Sequence, residues 1–200
     1  SNGSLHNILR NQKYHFDDNF KFCLALDVVA GMSYLHQDDI IHGYLTTNSC
    51  CVDEKWNVKI ADWCFYKLAQ KQDDADDANQ AAKRAFWLAP EMIKNPNQWP
   101  TKEADVYSFS ILLIEIFTQE DPYSHLTDCS DPSDVLLDIT TRGIRPAYPH
   151  AASHELMQIF NMCWVEDPTS RPTFKKLKKL VEKAKPSKKG VLDCLMEALE

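Results

Sequence analysis

The sequence predicts a mainly α-helical domain with one small β-hairpin, and three observations carry that expectation. Apolar residues recur at the three- and four-residue spacing of a buried helix face, as at Leu24, Val28, Met32 and Leu35. One pair of short runs flanks a polar turn at Asp53-Glu54-Lys55-Trp56, the pattern of a hairpin. The 200 residues are 44% hydrophobic, enough to enclose a substantial core.

In chain order, Gly3-Ser4-Leu5 opens a short polar segment, and Asp17 or Asp18 is placed to cap a helix from Phe20 to His36. The pair Ile40-Ile41 leads into a loop. The hairpin strands span Ser49 to Val52 and Asn57 to Ile60. From Gln70 to Arg84 the chain is polar and carries Asp73, Asp74, Asp76 and Asp77, which reads as a solvated loop. Asp105 to Phe117 is too apolar all round to lie on a surface, so it is a central helix. Thr118 to Ser133 reads as loop and Asp134 to Thr141 as helix. Glu155 to Trp164 puts Leu156, Ile159, Phe160 and Cys163 on one face. Phe174, Leu177, Leu180, Val181 and Ala184 mark a last amphipathic helix capped near Thr173, and Pro186 to Gly190 breaks the pattern. Trp87, Trp99 and Trp164 are expected in the core or a groove.

Composition excludes several function classes. A net charge of −7 opposes binding to a phosphate backbone, so no nucleic-acid partner is expected. The seven cysteines form no C-x-x-C, which favours reduced thiols over a zinc site. Cys50 and Cys51 are vicinal and face opposite ways in a strand, so they should not bridge. The most apolar run, Ile111 to Phe117, is short and contains Glu115, so no transmembrane segment is expected. The five glycines form neither G-x-G-x-x-G nor a P-loop, so the chain carries no glycine-rich phosphate cradle.

Five motifs stand in one order. They are His42-Gly43-Tyr44-Leu45, Asp62-Trp63-Cys64, Ala89-Pro90-Glu91, Asp105-Val106-Tyr107-Ser108-Phe109, and Cys163-Trp164-x-Glu166-Asp167-Pro168-x-x-Arg171-Pro172-x-Phe174. Each is weak alone, but the ordered set is specific. It resembles the C-terminal lobe of a protein kinase domain, nearest the tyrosine-kinase-like branch, over roughly Gly3 to Ala184. The closer resemblance is to the kinase-homology region of receptor guanylate cyclases, whose catalytic loop reads H-G-N-L and whose next strand reads C-V-V-D. The matching segments here are His42-Gly43-Tyr44-Leu45 and Cys50-Cys51-Val52-Asp53.

The resemblance implies a kinase-like fold with damaged chemistry. Phosphoryl transfer needs a cradle and lysine for the phosphates, two metal ligands and a carboxylate near the attacking hydroxyl. The cradle and lysine belong to an N-terminal lobe not in this chain. Tyr44 stands where the carboxylate should be, and a neutral phenol is a poor base near neutrality. Gly43 replaces the arginine expected beside His42. Asp62 matches the Mg²⁺-binding aspartate, while Ser49 stands at the second ligand position and Asn48 lies one residue early. ATP and Mg²⁺ are therefore expected as regulatory ligands at most, at Asp62, Asn48, Ser49 and Cys51, with Asp62 as the metal ligand. Asp62 read as a residue could equally cap the following turn.

The expected structural residues are His42, Trp63, Glu91, Asp105 and Arg171. By the resemblance Glu91 pairs with Arg171, Asp105 braces the catalytic-loop backbone, and His42 packs beneath Trp63. From Lys67 to Leu88 there is no Ser, Thr or Tyr, so a phosphorylation switch in that window is not expected. Lys175, Lys176, Lys178 and Lys179 form a basic run on the polar side of the last helix.

Residues 1–185 are thus expected to be a kinase-like C-terminal lobe, and 186–200 the start of a helical dimerisation linker towards a cyclase domain. Gly190-Val191-Leu192-Asp193 resembles the entry into that linker, and Leu192, Leu195 and Leu199 are spaced like alternating a and d positions of a heptad. A helix folding back onto the lobe is the other reading of those leucines. The resemblance implies a regulatory region of a receptor guanylate cyclase on the cytoplasmic side of a plasma membrane. Its partners would be a second copy and a cyclase domain of the parent chain, converting GTP to cyclic GMP. A divergent active kinase and a free-standing pseudokinase scaffold are the alternatives.

Overall fold

A computed structural model of the chain describes residues 2–63, 78–127 and 131–186. The expected polar aspartates of 73–77, Cys64, Cys129, Cys194 and the linker leucines lie outside these residues.

The first elements are a short strand β1 (Gly3–Ser4), helix α1 (Leu5–Leu9), helix α2 (Asp18–Gln37), and strands β2 (Cys50–Val52) and β3 (Val58–Ile60). Next come α3 (Ala78–Arg84), a 3₁₀ turn (Ala85–Trp87), α4 (Pro90–Lys94) and α5 (Lys102–Thr118). The last are α6 (Ser124–Thr127), α7 (Pro132–Thr141), α8 (His154–Cys163), a second 3₁₀ turn (Pro168–Ser170) and α9 (Phe174–Ala184).

Helix α5 is the axis of the molecule. Every residue from Ala104 to Phe117 is buried, which a helix tolerates only when neighbours cover it on all sides. Helices α2 and α8 pack against it, and α9 lies along α2. The starts are fixed by side-chain caps. Asp17, Thr101, Ser153 and Thr173 each accept a backbone N–H from the first turn of α2, α5, α8 and α9 respectively. A second apolar cluster of Phe86, Tyr123, Val135 and Ile139 sits beside the main core and holds the turn before α4.

Four expectations need correction. The sheet has three antiparallel strands, in the order β1-β2-β3, because Gly3 pairs with Val52 and Ser4 with Cys51. A two-residue strand is too short to show alternation in sequence. The polar stretch ends in a helix rather than a loop, since Ala78–Arg84 is helical. The expected loop 118–133 contains the helical turn Ser124–Thr127. Trp99 is not a core or groove residue but 68% exposed, whereas Trp164 is buried and Trp87 half-buried.

Cys50 is buried and Cys51 exposed, on opposite faces of β2 as the pleat requires, and Cys23, Cys50, Cys51 and Cys163 are free thiols. Burial pushes the thiols of Cys50 and Cys163 well above their ordinary range, so both are inert. Among the described residues no helix is long and apolar enough to cross a membrane.

Candidate functional site

The loop from His42 to Ser49 is built on α5. The buried Asp105 carboxylate accepts the backbone N–H of His42 at 2.9 Å and of Gly43 at 2.8 Å, and His36 Nε2 lies 2.9 Å from the same group. An acceptor on a central helix thereby fixes two consecutive loop amides, with α2 as backing. Gly43 has φ +78°, a left-handed conformation that glycine adopts without the strain a Cβ would add.

His42 is buried, and both ring nitrogens are used by the main chain. Nε2 lies 3.0 Å from the carbonyl of Ala61, and Nδ1 accepts the N–H of Tyr44 at 3.3 Å. Nδ1 accepting and Nε2 donating defines a neutral imidazole. Burial holds its pKa below the ordinary value, against the opposing pull of Asp105, the Ala61 carbonyl and Asp62. Of the expected pair, His42 is buried and Trp63 is 44% exposed. The imidazole nitrogens are both used by the backbone.

The candidate nucleotide residues are placed unequally. Tyr44 is half-buried in the loop. Ser49 is buried, and its hydroxyl donates to the Thr46 carbonyl at 2.9 Å while accepting the Thr46 N–H at 3.0 Å. That hydroxyl closes a turn and does not project as a ligand. Asn48 is exposed, and Cys51 faces outward from β2. Asp62 is exposed and close enough to His42 for its charge to act there. Its φ of +58° is a left-handed conformation that aspartate tolerates better than most residues. Mg²⁺ is commonly held by one or two carboxylates plus substrate phosphates, so Asp62 fits as a single ligand and nothing described supplies a second.

Glu91 and Arg171 meet bidentately, at 2.6 and 2.9 Å. Arg171 further donates to the carbonyls of Val165 at 3.0 Å and Glu103 at 3.1 Å, and it lies over the Tyr107 ring. The four basic residues Lys175, Lys176, Lys178 and Lys179 are exposed, opposite the buried stripe of α9.

Sequence reasoning missed one cluster. Glu115 on α5 is fully buried and takes Arg10 Nη2 at 2.7 Å, Trp87 Nε1 at 2.7 Å and Thr47 Oγ1 at 3.0 Å. The available signal was a lone carboxylate inside the apolar run Ile111 to Phe117, since a charge there must be paired. His6, Glu115 and Asp121 could offer ligand atoms to a metal ion, but the Arg10 guanidinium already bridges Glu115 and Asp121 with its own positive charge.

Comparison with known proteins places this geometry. Residues 1–181 match the model of the family described as protein tyrosine and serine/threonine kinase. Atrial natriuretic peptide receptor 2 of Rattus norvegicus is 34% identical over 211 aligned positions, covering 99% of this chain and 20% of the relative. Receptor-type guanylate cyclase Gyc76C of Drosophila melanogaster is 28% identical, covering 99% of this chain and 14% of its own length. Serine/threonine-protein kinase STY17 of Arabidopsis thaliana is 35% identical over 172 positions, covering 86% of this chain and 29% of its own. The chain thus spans less than a third of each of these relatives.

Proposed function

The chain belongs to the protein tyrosine and serine/threonine kinase family, and we propose that within it the chain is a phosphotransfer-impaired regulatory region of a receptor guanylate cyclase. The carrying observation is the loop His42 to Ser49, whose scaffold is intact while its chemistry is missing. Asp105 and His36 hold the backbone as a functional loop requires, yet Tyr44 stands at the base position and Ser49 is turned into a hydrogen bond with Thr46. An unactivated substrate hydroxyl would have no carboxylate to receive its proton.

Residues 1–185 form, on this reading, the C-terminal lobe of the kinase-like domain, and 186–200 begin a dimerising linker to a cyclase domain. The alignments with receptor-type guanylate cyclases reach 99% of the chain, against 86% for the plant kinase, which favours the cyclase setting. The region lies on the cytoplasmic side of the plasma membrane in the parent protein. ATP with Mg²⁺ is a regulatory ligand there, with Asp62 holding the ion and no phosphate transferred.

A divergent active kinase is the second reading, favoured by the 35% identity to a serine/threonine-protein kinase. One assay separates them. The parent protein is incubated with labelled ATP, Mg²⁺ or Mn²⁺ and a mixed peptide pool, beside its Asp62→Ala variant. Background transfer in both supports the regulatory reading, and turnover that vanishes in the variant establishes the kinase.

A further inference from the structure

The stretch Lys67 to Leu88 has no hydroxyl side chain that could carry a phosphate. Its described end is nevertheless tied to the molecule at a definite point. Trp87 Nε1 donates to Glu115 at 2.7 Å from the 3₁₀ turn that follows α3. We propose that Glu115 is a built-in anchor for the 78–88 segment, taking the place of an added phosphate, and that Arg10 sets its strength. The proposal stands on the fold alone and does not depend on the cyclase setting.

The physical argument begins with the charge. A carboxylate inside an apolar helix is tolerable only with a cation and further donors around it. Glu115 has one permanent cation, Arg10 at the end of α1, two neutral donors, the Thr47 hydroxyl in the loop after Tyr44 and the Trp87 indole, and the His6 ring 3.7 Å away on α1. Arg10 is itself held from its other side, its Nε donating to Asp121 at 2.8 Å. Three separate pieces of chain therefore share one carboxylate.

Sharing makes them interdependent. Without Arg10 the anion would keep only the neutral donors and the His6 ring, and water, a proton or a protonated His6 would have to compensate it, each of which competes with the indole. Among the described hydrogen bonds and ion pairs Arg10 makes none to residues 78–88; it can reach that segment through Glu115, or through Asp121 and the Tyr123–Phe86 contact, and the double variant with Trp87→Phe tells the two routes apart. The N-terminal segment and the 78–88 segment become a coupled pair. A partner or preceding chain that pulls on α1 would loosen the segment, with no phosphorylation event required.

Amide hydrogen exchange on the full 200-residue chain tests this. Trp87→Phe keeps the ring and removes only the donor, and it should speed exchange across 78–88 about tenfold while leaving α2 unchanged. Arg10→Met should speed exchange in the same residues, and in the Trp87→Phe background it should add little there. Unchanged 78–88 protection in Arg10→Met, or effects of the two substitutions that simply multiply, would overturn the anchor. If Arg10→Met unfolds the chain, Arg10→Lys decides: protection lost first at 78–88 supports the coupling, and a uniform or absent change refutes it.

Discussion

Arg171 grips Glu91 with both ends of its guanidinium, and the arginine side chain is fully buried while the glutamate keeps 22% of its surface. The same cation lies 5.2 Å from the centre of the Tyr107 ring, with Arg145 at the same distance, and three backbone carbonyls, of Val165, Glu103 and Glu166, accept its other N–H groups. The pair joins α4 to the turn before α9 across 80 residues of chain. It is a tertiary tie rather than a surface decoration.

Arg171→Ala should accordingly destabilise the chain by about 3–5 kcal/mol, because it strands Glu91 and the carbonyls of Val165, Glu103 and Glu166. Lys178→Ala, on the exposed face of α9, should stay within about 0.5 kcal/mol. Urea midpoints of the two variants supply the comparison. Equal small shifts would show that the pair contributes nothing beyond packing.

The long helices were legible because burial writes a period into the sequence, as at Leu24, Val28, Met32 and Leu35 of α2. Helix α5 was legible for the opposite reason, its lack of a polar face. What stayed hidden depends on partners distant in sequence. Strand β1 exists only because Cys51 and Val52 offer it a register. The Glu115 cluster gathers residues 10, 47, 87 and 115, which no local spacing connects. The exposure of Trp63 and Trp99 was unreadable too, since a tryptophan announces apolar area and not where that area goes. At the candidate site, the orientation of the side chains was not readable. Nothing in the local sequence foretold the inward hydrogen bonds of Ser49 to Thr46.

Gly31 offers a test of close packing between α2 and the sheet. A Cβ placed there would come within 2.7 Å of Ile60 Cγ1, near the stem of a β-branched side chain that cannot swing aside. Helix propensity alone would favour alanine by about 1 kcal/mol. The overlap should win, so Gly31→Ala is expected to destabilise by about 1–3 kcal/mol. In an Ile60→Ala background the same substitution should become neutral or stabilising, and thermal unfolding of the four proteins gives the coupling directly.

The neutral His42 gives stability a pH dependence of known sign. Its folded-state pKa is depressed by burial, so the unfolded chain takes a proton near pH 6.5 while the folded chain resists. Below that pH the unfolded state binds more protons, and stability rises with pH through the window. The contribution is fully present above about pH 6.5 and is lost as pH falls through the folded pKa. Urea midpoints of wild type and His42→Asn at pH 7.5 and 5.5 check it. The gap between them should narrow on acidification, by at most about 1.4 kcal/mol per pH unit, and parallel shifts would assign the acid sensitivity elsewhere.

On the proposed reading, a carboxylate placed at position 44 should not by itself give phosphate transfer. Tyr44→Asp would put a carboxylate at the expected position on a backbone already held by Asp105. A base is only one of the parts the reaction needs, and general base catalysis contributes about 10²–10⁴-fold. The second metal position would still be Ser49, whose hydroxyl is held by the Thr46 main chain, leaving Asp62 as the single carboxylate for an ion. Electrostatic neutralisation of the transferring phosphoryl group is the larger share of such catalysis, and one ligand supplies it poorly. The expected outcome is that Tyr44→Asp in the parent protein stays at the background of labelled-phosphate transfer, with Mg²⁺ or Mn²⁺. A rise of a hundredfold or more in that single variant would mean that the metal site is complete as it stands and that Tyr44 alone silences the domain.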